Sequence, residues 1–88
     1  MHIAMKPVRT LKVTSSGTSV QSSSIADNRF YIRVVSDAAC HIAIGVNPTA
    51  TTSDIYIPAA DVEYFKISPG EKVAVIGSAN VYISELSE

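Results

Sequence analysis

Apolar and polar residues alternate with a period of two along most of this chain, and that alternation limits the folds open to it. Residues 29–35, RFYIRVV, place Phe30, Ile32 and Val34 on one face of an extended segment. A period of two in a run rich in β-branched and aromatic residues predicts a β-strand, and no window of helical length shows a 3.6-residue period. The same alternation predicts strands in further segments: 8–14, 18–22, 40–45, 54–59, 62–67, 72–76 and 80–86.

Turn residues between these segments predict how the strands connect. Pro69 sets φ for the first corner of a type II turn, and Gly70 tolerates the positive φ of the second corner. We therefore expect residues 62–67 and 72–76 to form a hairpin. Two further hairpins are expected: 8–14 with 18–22 around Gly17, and 29–35 with 40–45.

These patterns predict one all-β domain over residues 1–88, with residues 1–7 as an extended N-terminal arm. The expected fold is an antiparallel β-sandwich or jelly roll of seven to eight short strands. In the last segment, Val81, Ile83 and Glu85 share one face. The apolar faces of the strands give the expected core: Val8, Leu11, Val13, Phe30, Ile32, Val34, Ile42, Ile44, Phe65, Ile67, Val73, Val75, Val81 and Ile83.

A chain this short has a small hydrophobic core, so binding to a partner could add to its stability. A domain of 88 residues buries only roughly 60 to 65 % of the surface that its unfolded chain exposes. The single cysteine, Cys40, excludes an internal disulfide, and His2 and His41 lack the spacing of metal ligands. We expect no metal and no cofactor, and we expect a homo-oligomer.

Charge and hydropathy narrow the choice of partner. The net charge of −1 argues against nucleic acid, because phosphate binding needs a basic surface. The charge is uneven, +4 over residues 1–33 and −5 over residues 34–88. Pairing between strands of the two halves could bring their opposite charges together and neutralise them. Alternatively, the charges stay separated, and the molecule stacks head to tail or docks on an acidic partner. No targeting segment or membrane span is expected, since no apolar run approaches the required length.

The residues that could carry catalysis lack a catalytic arrangement. The chain has no G-x-S-x-G nucleophile motif. Cys40 and His41 are neighbours in a predicted strand and should point to opposite faces, with Cys40 as a small buried apolar residue. Asp54, Asp61 and Glu63 could pair as carboxylates only across a cleft that a sandwich of this size rarely builds. The expectation is a protein without enzymatic activity.

Exposed tyrosines and one polar loop are the more informative candidates. Tyr31 and Tyr82 lie opposite the predicted core positions, where tyrosine is a frequent anchor of protein interfaces. The alternatives are packing against a second sheet and a platform for sugars. The loop of residues 46–54 is either a contact or strand-crossing loop, with Thr and Ser hydroxyls that satisfy backbone groups and meet neighbouring subunits, or an ordinary connection of a β-sandwich.

Four sequence words over a little more than half of the chain resemble a known group of proteins. They are CHIAIG at 40–45, NPTAT at 47–51, YIPA at 56–59 and SPGEKVAVI at 68–76. The chain resembles small virion structural proteins of tailed bacteriophages, most of which have no assigned function. The resemblance implies a small β-rich part of a phage particle, on the capsid surface or in the neck or tail.

Together these arguments predict a non-enzymatic structural protein that decorates or cements a phage capsid through protein contacts. It would reside in the virion after synthesis in the bacterial cytoplasm, with other virion proteins, above all the major capsid protein, as partners. The alternatives are a neck or tail component, and a carbohydrate-binding module of a tail fibre or spike that uses Tyr56, Tyr64 and Asp54. The residues expected at the protein interface are Lys6, Arg9, Lys12, Tyr31, Asn47, Thr51 and Tyr82.

Overall fold

The computed structural model describes residues 6–25 and 31–87, and these residues form an all-β structure of eight strands without a helix. This confirms the predicted fold class and the predicted number of strands. The strands are β1 (Lys6–Thr14), β2 (Val20–Gln21), β3 (Tyr31–Ser36), β4 (Cys40–Gly45), β5 (Ile55–Ile57), β6 (Val62–Lys66), β7 (Lys72–Ile76) and β8 (Asn80–Ser87).

The strands form two four-stranded antiparallel sheets. The front sheet has the order β1-β8-β3-β6, and the back sheet has the order β2-β7-β4-β5. The first four strands thus pair with the last four in reverse order, β1 with β8, β2 with β7, β3 with β6 and β4 with β5. This is the strand order of a jelly roll, in which a long antiparallel hairpin wraps into two sheets.

The three predicted hairpins are wrong, because in each case the two strands belong to different sheets. In the jelly-roll order only β4 and β5 are both consecutive in the chain and paired with each other. The turn at Pro69 and Gly70 is nevertheless present: Gly70 has φ 83°, and the Glu71 amide donates to the Ser68 carbonyl at 3.2 Å. Turn residues determine a local reversal of the chain, whereas the choice of pairing partner depends on the whole sheet.

The core lies between the sheets and takes its side chains from one face of each strand. Leu11, Ile44 and Phe65, all predicted core residues, are partly buried and pack against it. Nine other predicted core residues are buried: Val13, Ile32, Val34, Ile42, Ile67, Val73, Val75, Val81 and Ile83. Buried residues of this cluster that were not on the predicted core list are Ile25, Cys40, Ile57 and Ala79.

Some sequence predictions fall outside the described residues. The side chain of Val8 and the whole of Phe30 belong to this group, as do residues 1–5 of the predicted arm. Lys6 and Pro7, assigned to the same arm, belong to β1, where their backbones lie opposite Ser87 and Leu86 of β8.

Candidate interaction surface

The loop of residues 46–54, which we call the cover loop, lies against the outer side of the back sheet. From β2, the Gln21 side-chain amide donates to the Asn47 Oδ1 at 2.9 Å and to the Pro48 carbonyl at 2.8 Å. Just before β2, the Ser19 hydroxyl accepts a hydrogen bond from the Ala50 amide at 2.9 Å. These bonds attach the loop between β4 and β5 to the strand at the opposite edge of the sheet. The loop therefore crosses the sheet's outer face.

Small residues of the back sheet make room for this crossing. In the register, Ala74 lies opposite Gln21 on one side and Ala43 on the other, and it points away from the core residues Val73 and Val75. An outward position on a sheet is ordinarily exposed, yet the exposed fraction of Ala74 is 0 %. The cover loop accounts for that burial.

Polar groups of the cover loop bond to one another and to residues in and just before β2. The Thr51 amide and hydroxyl both donate to the Asp54 Oδ2, at 2.7 Å and 3.1 Å. Asn47 accepts from Gln21 as described. The Thr51 hydroxyl also accepts a hydrogen bond from the Ser53 amide at 3.3 Å, so a hydroxyl of this loop satisfies a backbone group as expected, and both Asn47 and Thr51 remain exposed.

The outer face of the front sheet, which we call the front face, carries side chains in three cross-strand rows. Register and alternation set these rows, because neighbours in antiparallel strands lie directly opposite one another. The first row is Lys12, Tyr82, Val35 and Val62; the second is Thr10, Ser84, Arg33 and Tyr64; the third is Leu86, Tyr31 and Lys66.

Each row of the front face contains one tyrosine and one basic residue. The exposed fraction is 37 % for Tyr31, 65 % for Tyr64 and 38 % for Tyr82. The Lys12 Nζ lies 5.8 Å from the centre of the Tyr82 ring, within the range of a cation–π contact. None of the positions in the three rows holds Asp or Glu. The front face is thus aromatic and positively charged.

Arg33 occupies the middle of this arrangement. It lies opposite Tyr64 on β6 and opposite Ser84 on β8, two residues along β3 from Tyr31. Tyr82, two residues from Ser84 on β8, is the diagonal neighbour of Arg33. Within residues 6–25 and 31–87, the three basic side chains of the front face form no ion pair with a carboxylate. Arg33 and Lys66 thus offer their charge to a partner, while the charge of Lys12 also acts on the nearby Asp37 carboxylate and helps to lower its pKa.

Two of the predicted interface residues lie elsewhere on β1. Arg9 lies opposite the buried Glu85 with about half of its own side chain exposed; its Nη2 lies 2.5 Å from the Glu85 Oε2 and also donates to the Ser24 carbonyl at 3.1 Å. Glu85 is buried on the face shared with Val81 and Ile83, as the alternation predicted. Lys6 begins β1, and only its backbone is described. Lys12, Tyr31 and Tyr82 are the predicted interface residues that come together on one surface. Arg33, Tyr64 and Lys66 complete that surface.

Cys40 and His41 diverge as their adjacent positions in a strand require. Cys40 is buried, and burial raises the pKa of its thiol, so the thiol stays protonated at neutral pH. His41 lies on the opposite side of the back sheet, with its ring centre 5.2 Å from that of Tyr56. The two side chains do not form a nucleophile and base pair.

The fold separates the residues of the sugar-binding alternative and places Asp61 and Glu63, but not Asp54, next to each other. Tyr56 lies on β5 of the back sheet and Tyr64 on β6 of the front sheet, so the sugar-binding set of Tyr56, Tyr64 and Asp54 does not share a face. The neighbouring Asp61 carboxylate raises the pKa of Glu63, because a hydrogen bond shared between the two carboxyl groups and their mutual repulsion both favour the protonated form of Glu63. Asp54 instead accepts hydrogen bonds from the Thr51 amide and hydroxyl. No group of three potential metal-binding side chains occurs in the part of the chain that the structure describes.

A shallow hollow of about 340 Å³ lies where the corner between β3 and β4 meets the start of β8. Asp37 closes this corner, since its carboxylate accepts hydrogen bonds from the Asn80 amide and side chain, both at 2.8 Å. These bonds lower the pKa of Asp37. Asp37, Asn80 and Thr14, which line the hollow, form hydrogen bonds with one another, as is typical of a structural corner.

Comparison with protein-family models, curated proteins and solved structures found no significant match. No helix among the described residues is long and apolar enough to cross a membrane. The front face is therefore the feature from which a function must be argued.

Proposed function

We propose that this protein is a non-enzymatic structural component of a phage particle that decorates or cements the capsid by docking its front face on another virion protein. The four sequence segments that resemble small phage virion proteins support the assignment to a phage particle. Jelly rolls are frequent in viral capsid proteins, which fits that assignment, although they also occur in lectins and cupins.

The observation that carries the proposal is the contrast between the two outer faces of the sandwich. The cover loop crosses part of the back face and leaves the single tyrosine Tyr56 exposed on β5, whereas three exposed tyrosines gather around the half-buried Arg33 on the front face. Tyrosine and arginine are enriched among the residues that dominate the energy of protein interfaces. With dimensions of 35 × 25 × 19 Å, a whole sheet face offers roughly 800 Å², the area that each partner contributes to an interface of standard size.

Co-sedimentation with capsids purified from the phage that encodes the protein tests this proposal. The wild-type protein should pellet with capsids and remain in the supernatant without them. Tyr64→Ala should weaken capsid binding roughly 30-fold, because Tyr64 is the most exposed tyrosine of the front face and truncation of an aromatic anchor in an interface typically costs about 2 kcal/mol.

Tyr56→Ala is the matched control, since it removes the other strongly exposed tyrosine from the back sheet. It should leave capsid binding unchanged. Equal losses in the two variants, or no pelleting of the wild-type protein, would refute the proposal. Pelleting with isolated tails instead of capsids would move the protein to the neck or tail.

A further inference from the structure

We infer that the front face binds an acidic surface of a different protein, and that two copies of this chain do not pair through it. This inference rests on the proposed function, which it refines by naming the chemistry of the partner. It starts from the charge of the front face. Lys12, Arg33 and Lys66 supply three positive charges, and no row of the front face contains a carboxylate.

The net charge of the whole chain does not reflect the excess of positive charge on the front face. The net charge is −1, yet the charges on the front face act on a docked surface at contact distance, while most others are screened over about 8 Å at physiological ionic strength. A partner that presents Asp and Glu opposite these three residues would gain attraction in each row. Complementary potential of this kind sets orientation and speeds association.

The placement of the basic residues favours a protein partner over a nucleic acid. Arg33 and Tyr31 lie on the inner strand β3 and Tyr82 on the inner strand β8, whereas Lys12 lies on the edge strand β1 and Lys66, with Tyr64, on the edge strand β6. An aromatic and arginine centre with lysines at the margin matches the anatomy of protein interfaces, where lysine is depleted from the core. Single-stranded nucleic acid needs a basic track along its backbone, and domains that bind it are usually strongly basic.

The same charges oppose a symmetric dimer through the front face. A twofold axis brings the same patch of two copies together, so every charge in the contact would be positive. No carboxylate within the three rows could be turned to compensate. Like charges brought together across an interface cost several kcal/mol. Two copies meeting through this face would therefore repel each other.

Charge reversal at two lysines gives the first test, in the capsid co-sedimentation assay. Lys66→Glu changes the front face, and Lys72→Glu makes the identical change on the back sheet. Lys66→Glu should weaken binding about tenfold and Arg33→Glu at least 30-fold, while Lys72→Glu should leave it unchanged. Wild-type binding should also weaken as sodium chloride rises from 50 to 500 mM. Capsid binding that is indifferent to Lys66→Glu and to salt would overturn the inference while leaving the proposed function intact.

A second test needs no capsid and separates the inference from the proposed function. Poly-L-glutamate is titrated into ¹⁵N-labelled protein, and a 15-nucleotide oligo(dT) is titrated into a parallel sample. Poly-L-glutamate should shift the amide signals of β3, β6 and β8, with the effect lost in Arg33→Glu and kept in Lys72→Glu. Shifts that avoid these strands, or tighter binding of oligo(dT) at the same site, would overturn the inference.

Light scattering of the free protein tests whether a second copy of this chain binds the front face. The wild-type protein and Lys66→Glu should show the same molar mass at every concentration. An oligomer of the wild-type protein that Lys66→Glu dissociates would show that a second copy binds the front face, and it would overturn the inference.

Discussion

Replacing Gln21 by Glu should release the cover loop from the back sheet, and this change tests the contrast between the two faces. The Gln21 side-chain amide donates to two oxygens of the cover loop, at 2.9 Å and 2.8 Å. Gln21 is exposed, so each bond contributes at the low end of the usual range, about 0.5 kcal/mol, or about 1 kcal/mol for the two. Glu has nearly the same shape but places a carboxylate oxygen against the same two acceptors, which adds about 1 kcal/mol of repulsion.

Hydrogen exchange at the Ala50 amide measures this release, because that amide is bonded to Ser19 only while the loop is closed. A loss of about 2 kcal/mol corresponds to roughly 30-fold faster exchange in Gln21→Glu. Gln21→Met keeps the stem of the side chain without donors or charge, and it should give roughly fivefold faster exchange. The amide of Ile42 in the core strand β4 should remain more protected than that of Ala50, and its exchange should accelerate by no more than the same factor, because the lost bonds are absent from the unfolded state as well. Unchanged exchange at Ala50 in Gln21→Glu would show that these bonds do not hold the loop.

Three further changes test the fold that supports the front face. Gly77→Ala should destabilise the protein by about 2 kcal/mol in urea denaturation, because Gly77 has φ 121° and a Cβ there would lie 3.2 Å from the Ala39 carbonyl oxygen; an unchanged midpoint would contradict this. Ser22→Ala should cost about 1–3 kcal/mol in the same assay, since the buried Val73 amide donates to the Ser22 hydroxyl at 3.0 Å, and a neutral result would mean that another acceptor replaces it. Asp37→Asn should flatten the dependence of the urea midpoint on pH: the folded-state pKa of Asp37 lies below its ordinary 3.8, so its stabilisation is present above about pH 4 and is lost as the pH falls through the lowered pKa. Equal acid sensitivity of wild type and variant would show that Asp37 does not contribute.

The strands were predictable because each one carries its own signal. Alternation within β3, β4 and β8 is a local property, and it placed even the buried Glu85 on the correct side. Two buried isoleucines lack such a signal. Ile25 is an isolated apolar residue that follows three serines, and Ile57 ends a strand of three residues, too short to establish a period.

Strand pairing could not be predicted in the same way. β1 pairs with β8, and the contact between Arg9 and Glu85 joins residues 76 positions apart in the chain. A turn signal such as Pro69-Gly70 reports only that the chain reverses there. Whether the next strand continues in the same sheet or crosses to the other sheet depends on which strands compete for each edge.

The front face shows what this limitation means for function. Its three pairs of tyrosine and basic residue come from β1, β3, β6 and β8, and the sequence places each residue on the side of its strand away from the core. Only the jelly-roll order makes those four strands neighbours and converts scattered residues into one surface. The same order attaches the cover loop to the other sheet. The net charge of −1 for the whole chain argues only against nucleic acid, whereas the fold separates a basic aromatic face from the rest of the molecule. The partner is therefore to be sought by the chemistry of that face, by carboxylates that match Lys12, Arg33 and Lys66.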